Sequence, residues 1–259
     1  MVPVASLLVG VLVGCFSVSL SQSVNAGEPP HFRPSRSEPA YQIERGETEF
    51  EVGVLAARSR ADGRELRSVS VPAELRMGFA DGWLIQVGIE GFTHRRETGG
   101  ERVQGLGSSS IAIRHTRPIS DAVWASILLG TSLATAHSSL GSDRTAPFLQ
   151  TALTWYGKKL RLTGVTKYSR SEDFDEFQTG TPATAGSVTL ASFYDLDERF
   201  GLAADFNFDH LRGRGSQRSV IAGFVWRANS RLLFDVGIGT GQGILGTQRL
   251  LTAGTIVYF

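Results

Sequence analysis

From Thr48 to the last residue, apolar and polar side chains alternate with a period of two. The clearest stretch is 200–209. Phe200, Leu202, Ala204, Phe206 and Phe208 share one face, and Gly201, Ala203, Asp205, Asn207 and Asp209 the other. Leu232, Phe234, Val236 and Ile238 alternate with Asp235, Gly237 and Gly239 in the same way. Trp83, Ile85, Val87 and Ile89 alternate with Gln86, Gly88 and Glu90. Such alternation predicts β-strands with one apolar and one polar face. Twelve segments carry it: 48–57, 66–77, 82–94, 107–117, 121–132, 145–156, 159–170, 185–195, 199–210, 216–227, 231–240 and 248–259. They are longer than the ~5–6 residues usual in soluble sheets. They match the ~9–11 residues that a tilted strand needs to cross a bilayer.

The connections predict which end is which. They are tight at Ala80-Asp81, Ile119-Ser120, Gly157-Lys158, 195–198 and Asn229-Ser230. At the other end they are longer and more polar, as at 95–106, 134–144 and 171–184. Short turns on one side and long loops on the other is the layout of transmembrane barrels. The four tryptophans, Trp83, Trp124, Trp155 and Trp226, all fall at the short-turn end, with Tyr156 beside them. They are expected to form an interfacial girdle, because the ring is apolar and its edge polar. The chain closes on Val257-Tyr258-Phe259, an alternating strand with a terminal aromatic. That ending resembles the signal read by the barrel-insertion machinery, a predicted partner. A strand in lipid cannot leave edge amides unpaired, so the sheet must close. The expected fold is an all-β, antiparallel, up-and-down transmembrane barrel of about 12 strands, within a range of 10–14.

Ahead of the barrel, residues 1–26 have no charged side chain and end Val24-Asn25-Ala26. This is the pattern of a secretory signal peptide, although it lacks a basic residue near Met1. Leu12-Val13-Gly14-Cys15 also resembles a lipobox, but the apolar run continues past Cys15 through Phe16, Val18 and Leu20. Residues 27–47 hold Pro29, Pro30, Pro34 and Pro39 and no periodicity. They read as an extended periplasmic arm or a short plug, with the barrel occupying 48–259.

Composition narrows the function. Lys+Arg number 26 and Asp+Glu 25, a balance that argues against a nucleic-acid partner. Glycine is 30 of 259 residues, above the ~7% average. The single cysteine, Cys15, excludes a disulfide scaffold or a cysteine-ligated metal site. No cofactor is implied.

With the apolar face toward lipid, the polar face lines the lumen. The candidate lumen residues are Glu51, Glu74, Arg76, Gln86, Glu90, Arg114, Arg161, Lys167, Asp205, Asn207, Asp209 and Asp235, together with Glu49, Arg227 and Arg249. Both signs are present, and the cations are mostly arginine, suited to bidentate pairing with carboxylates. Two readings stand: a salt-bridged lumen that holds the barrel in shape, or a solute path with a charged constriction. Twelve strands lie between a barrel filled by side chains and a wide channel. A narrow or arm-blocked lumen is therefore expected.

Other motifs carry less. Gly241-Gln242-Gly243-Ile244-Leu245-Gly246 matches a dinucleotide fingerprint with no helix behind it. Asp205, Asn207 and Asp209 have calcium-loop spacing, but His210 replaces the turn glycine. The acidic run 172–176 lies in a loop, and the five histidines have no metal-type spacing. A lipid hydrolase would need a Ser–His pair on the lipid face. His137 with Ser138 or Ser139 is the candidate, in a loop.

Three stretches resemble the outer-membrane family of meta-pathway phenol-degradation transporters: Val71-Pro72-Ala73-Glu74-Leu75-Arg76-Met77-Gly78, Gly88-Ile89-Glu90-Gly91-Phe92, and 106–115. The resemblance implies a porin-like barrel in the bacterial outer membrane of a Gram-negative cell, passing a small, aromatic or hydrophobic solute. It brings no catalytic residues. Outer-membrane lipid and lipopolysaccharide are the expected surroundings. The alternative is a structural or ligand-binding barrel without transport, whose loops at 138–144 and 171–184 meet a partner.

Overall fold

The computed structural model describes residues 34, 37–61, 64–98, 100, 102–136, 140, 145–171, 183–213, 215–244 and 246–259. The expected signal segment 1–26, His137, Ser138, Ser139 and the acidic run 172–176 lie outside the described residues.

Fifteen strand segments follow one another: β1 (Thr48–Ala61), β2 (Arg64–Ser70), β3 (Ala73–Ala80), β4 (Trp83–Ile89), β5 (Phe92–Glu97), β6 (Arg102–Leu106), β7 (Ser109–Ser120), β8 (Val123–Leu133), β9 (Ala146–Tyr156), β10 (Leu160–Ser171), β11 (Ala183–Asp195), β12 (Phe200–Leu211), β13 (Gly215–Asn229), β14 (Leu232–Gly243) and β15 (Gly246–Tyr258). All are antiparallel to their neighbours, and β1 pairs back onto β15 from Glu49↔Tyr258 to Arg60↔Thr247, which closes the sheet. Three segment pairs are collinear, so the fifteen segments form twelve staves. The closed antiparallel barrel of twelve strands is the one the alternation predicts.

The interruptions have local causes. Pro72 has no N–H to give a ladder. β1 nevertheless keeps one register across it, with Leu55↔Ser70 on β2 and Val52↔Ala73 on β3, and Gly53 N donates to the Pro72 carbonyl at 3.0 Å. Between β4 and β5 the chain bulges at Glu90-Gly91. Gly91 has φ +69°, and a Cβ there would lie 1.7 Å from the Val71 carbonyl oxygen, so only glycine fits. β6 and β7 break at Gly107-Ser108, where Glu90 N and Gly107 N bridge to Ser108 O and Gly91 O.

Two loop expectations are corrected. Residues 95–106 are largely strand, because β5 and β6 extend into them. The connections after β1, β12 and β14 are as short as those at the opposite end. Strands that rise beyond the bilayer carry the polar sequence that reads as loop. The dinucleotide-like glycines end β14 and open β15 as a hairpin, and Asp205–Asp209 are part of β12.

The outward face is apolar around the wall: Val54, Val87, Ile113, Leu129, Leu162, Leu190, Leu202, Phe206, Val236 and Ile238 are all exposed. Exposed apolar area on this scale marks a surface built for lipid.

Candidate functional site: a lumen crossed by the N-terminal arm

The inward face is set by parity. Register places Glu51, Glu74, Arg76, Gln86, Arg114, Arg161, Lys167, Asp205, Asn207, Asp209 and Asp235 on the lumen side, with Glu49 and Arg227. Glu90 sits in the bulge, where its carboxylate accepts from Ser108 N at 3.3 Å. Arg249 is a correction. It lies directly opposite Arg58 on the outer face, in step with Leu251 and Ala253.

The girdle is also corrected in part. Trp83, Trp155 and Trp226 face outward; Trp83 stacks on His115 at 4.4 Å and Trp226 on Phe234 at 5.4 Å. Trp124 packs inside against Ala40, Ala152 and Val165. Tyr156 also points inward, donating its hydroxyl to the Ala40 carbonyl at 2.8 Å. Both share the parity of inward residues on their strands, and position at the strand end does not override it. At the C-terminus, Val257 has outward parity, Tyr258 packs against an inner apolar cluster, and Phe259 is exposed.

The lumen is occupied. Residues 37–44 lie against its inner wall, with Ser37, Ala40, Tyr41 and Ile43 all buried. Ala40 N donates to Thr154 Oγ1 at 2.8 Å, and Tyr41 donates its hydroxyl to Glu49 at 3.0 Å. Ile43 and Tyr41 pack on Leu84. Glu38 sits among three wall residues. Arg114 makes an ion pair with it, Gln86 Nε2 donates at 3.1 Å and Gln150 Nε2 at 3.3 Å. Arg114 also donates to Gln86 Oε1 at 3.1 Å, so the cluster is closed on itself. Burial alone would raise the Glu38 carboxyl. Arg114, Arg76 and Lys167, with the Gln86 hydrogen bond, outweigh it and hold the carboxyl below its ordinary value. Burial, and then the negative Glu49, push the Tyr41 phenol up, so it stays a donor.

Glycines let the arm approach the wall closely. A Cβ at Gly78 would lie 2.1 Å from the Glu44 carbonyl oxygen. On the far side, a Cβ at Gly223 or Gly237 would strike Pro34 at 2.1 Å or 2.7 Å. These three strand glycines therefore have a use that composition alone does not reveal.

Two charged clusters flank the arm. Arg76 pairs with Glu49, Glu51 and Glu74, with Glu51 at 3.0 Å. Across the lumen Arg227 and Arg161 meet Asp195, Arg161 at 3.7 Å, and Arg161 lies 4.1 Å over the Phe193 ring. Phe193, Ala203, Val225, Leu233 and Ile256 form a buried apolar cluster on this side. The lower lumen is thus packed, not simply hydrated. Above it lies a cavity of about 330 Å³, lined among others by Glu51, Glu74, Glu90, Arg95 and Ser110.

The sequence missed Glu38 as a site residue, since the arm has no periodicity to mark it. It also missed a Ser–His contact: His210 Nδ1 and Ser216 Oγ lie 3.0 Å apart on neighbouring strands. Their pairing partners across the ladder include Gly186 but no carboxylate that would orient the imidazole for nucleophilic chemistry. Among the described residues, no group of His, Cys, Asp and Glu is arranged to hold a metal ion.

No family model matches the chain, and no curated protein matches it by sequence. Solved structures do. The COG4313 outer membrane channel from Pseudomonas putida F1 superposes with a TM-score of 0.73 at 15% identity, over 86% of this chain and 100% of that one. The translocator domain of the autotransporter NalP from Neisseria meningitidis gives 0.55 at 9% identity, over 85% and 91%. The CymD monoaromatic hydrocarbon channel gives 0.50 at 8% identity, over 84% and 89%. At these identities the likeness establishes the architecture: the chain has the fold of outer-membrane β-barrels.

Proposed function

We propose that the chain is a bacterial outer-membrane channel for a small solute, and that the arm at 37–44 is its resident gate. The observation that carries this reading is how the arm is held. It lies in the lumen on hydrogen bonds, the Glu38–Arg114 ion pair and two small apolar contacts, Tyr41 and Ile43 on Leu84 and Ala40 on Ala152, Val165 and Trp124. Such contacts can be broken and remade without unfolding the wall. The resemblance to phenol-degradation transporters, and the likeness to a structure described as a monoaromatic hydrocarbon channel, suggest an aromatic solute. The carboxylates and serines of the upper cavity favour one that also carries a hydroxyl donor over a bare hydrocarbon.

Planar-bilayer recording of refolded protein tests this with a wedge that leaves the charged cluster untouched. In Gly237→Ala the new methyl would lie 2.7 Å from Pro34, just ahead of residues 37–44, and is expected to displace it. The expected result is a low conductance for the parent protein and a higher one for the variant, with faster uptake of phenol by loaded liposomes. No conductance from either protein would overturn the channel reading. It would favour a ligand-binding barrel, to which the packed lower lumen also lends itself.

A further inference from the structure

At the end of the wall opposite the tryptophans, register brings five arginines into one line across five neighbouring strands. Arg249 on β15 is directly opposite Arg58 on β1, Arg58 opposite Arg67 on β2, Arg67 opposite Arg96 on β5, and Arg96 opposite Arg102 on β6. All five have outward parity and are exposed. Four strand spacings of ~4.8 Å make the row about 19 Å long. Like charges directly opposite one another in a ladder repel, so the arrangement is unfavourable unless something anionic covers it. One carboxylate on the outer face relieves part of it: Glu65 contacts Arg58, Arg60 at 2.9 Å and Arg67 at 2.6 Å. Among the described strand residues, Glu65 is the sole acidic side chain with outward parity.

The height of the row is informative. Below it β1 shows Phe50, Val52, Val54 and Ala56 outward, and β15 shows Val257, Thr255, Ala253 and Leu251. From Phe50 to Arg58 a strand of ~3.3 Å rise, tilted by ~40°, climbs about 20 Å. The arginines therefore sit where an apolar belt of nearly bilayer thickness ends, on the side away from the short turns.

We propose that this row is a binding site for a phosphorylated glycolipid headgroup of the leaflet at that end. Planar guanidiniums bind phosphate oxygens bidentately. A single phosphodiester meets one or two of five guanidiniums, whereas two phosphates held apart by sugar rings engage separate parts of the row. The inference rests on the membrane-spanning reading, but not on conduction, so a silent channel would leave it standing.

The experiment uses the full mature barrel in nonionic micelles doped with bisphosphorylated lipid A, dephosphorylated lipid A or phosphatidylglycerol. Native mass spectrometry reads lipid retention. Bisphosphorylated lipid A is expected to be retained by the parent protein, and to be released at raised salt. Arg58→Gln/Arg67→Gln/Arg96→Gln is expected to weaken retention by at least ~tenfold, the effect of removing one charge-assisted hydrogen bond. Arg117→Gln, at the short-turn end, is expected to change nothing. If the triple variant fails to fold, Glu65→Gln carries the test: removing the competing carboxylate is expected to tighten binding several-fold. The proposal is overturned if the triple variant binds like the parent or if Glu65→Gln weakens binding. It is also overturned if either of the other two lipids is retained as tightly as the bisphosphorylated one.

Discussion

Inside the wall one guanidinium, Arg76, is surrounded by three carboxylates; outside it one carboxylate, Glu65, is surrounded by three guanidiniums. The residue types are the same and the stoichiometry is reversed. Arg76 has a side-chain exposure of 2%, whereas Arg67 has 66%. In the buried cluster, water cannot supply missing charge, so each partner depends on the others. In the outer cluster, water and ions screen the surplus, and each pair contributes little to stability. The inner group is therefore part of what holds the lumen in shape. The outer group is a surplus of positive charge available to a ligand.

The largest effect should come from breaking the inner group. Arg76→Met leaves Glu49, Glu51 and Glu74 without their shared cation, and removing one partner of a buried pair costs ~3–5 kcal/mol. Urea unfolding of the barrel in micelles, followed by tryptophan fluorescence, should show a midpoint well below the parent's. An unchanged midpoint would mean that the cluster is hydrated in solution.

Next comes the arm. The Glu38 carboxyl is held below its ordinary 4.5, so the latch contributes fully above about pH 5. That contribution is lost as pH falls through the lowered value. Conductance should be flat through mild acid and rise only in strong acid. Glu38→Gln should abolish that acid step. A rise already at pH 6 would point to a group other than Glu38.

A smaller effect separates the two faces optically. Lipid-borne quenchers should dim Trp83, Trp155 and Trp226 but spare Trp124. Single-tryptophan variants measure this directly, and equal quenching of Trp124 would contradict its inward packing. Smallest of all, Glu65→Gln should leave the urea midpoint within error, despite its three ion pairs. A marked drop would mean that the outer cluster supports the fold as the inner one does.

The barrel was legible because its signal is local. A period of two, repeated over twelve segments, survives in any one of them, and it assigns the inward residues by parity. Parity was also sufficient to place Trp124 and Tyr156 inside and Arg249 outside. The end-of-strand argument for the first two, and the expectation of an arginine in the lumen for the third, ran against it. The arm was not legible. Glu38 meets Arg114, Gln86 and Gln150 across separations of 48 to 112 residues, with no repeat to mark it. The arginine row was hidden for a related reason. Arg58, Arg67, Arg96, Arg102 and Arg249 are scattered along the chain, and only strand register aligns them.

The central claim, that the arm gates the lumen, is tested most directly by tethering it. Ala40 N donates to Thr154 Oγ1 at 2.8 Å, so cysteines at the two positions would stand side by side on the arm and the wall. In a Cys15→Ser background, Ala40→Cys/Thr154→Cys should show minimal single-channel conductance when oxidised. Conductance should rise when reductant is added to the same bilayer. Equal conductance in the two states would contradict the account.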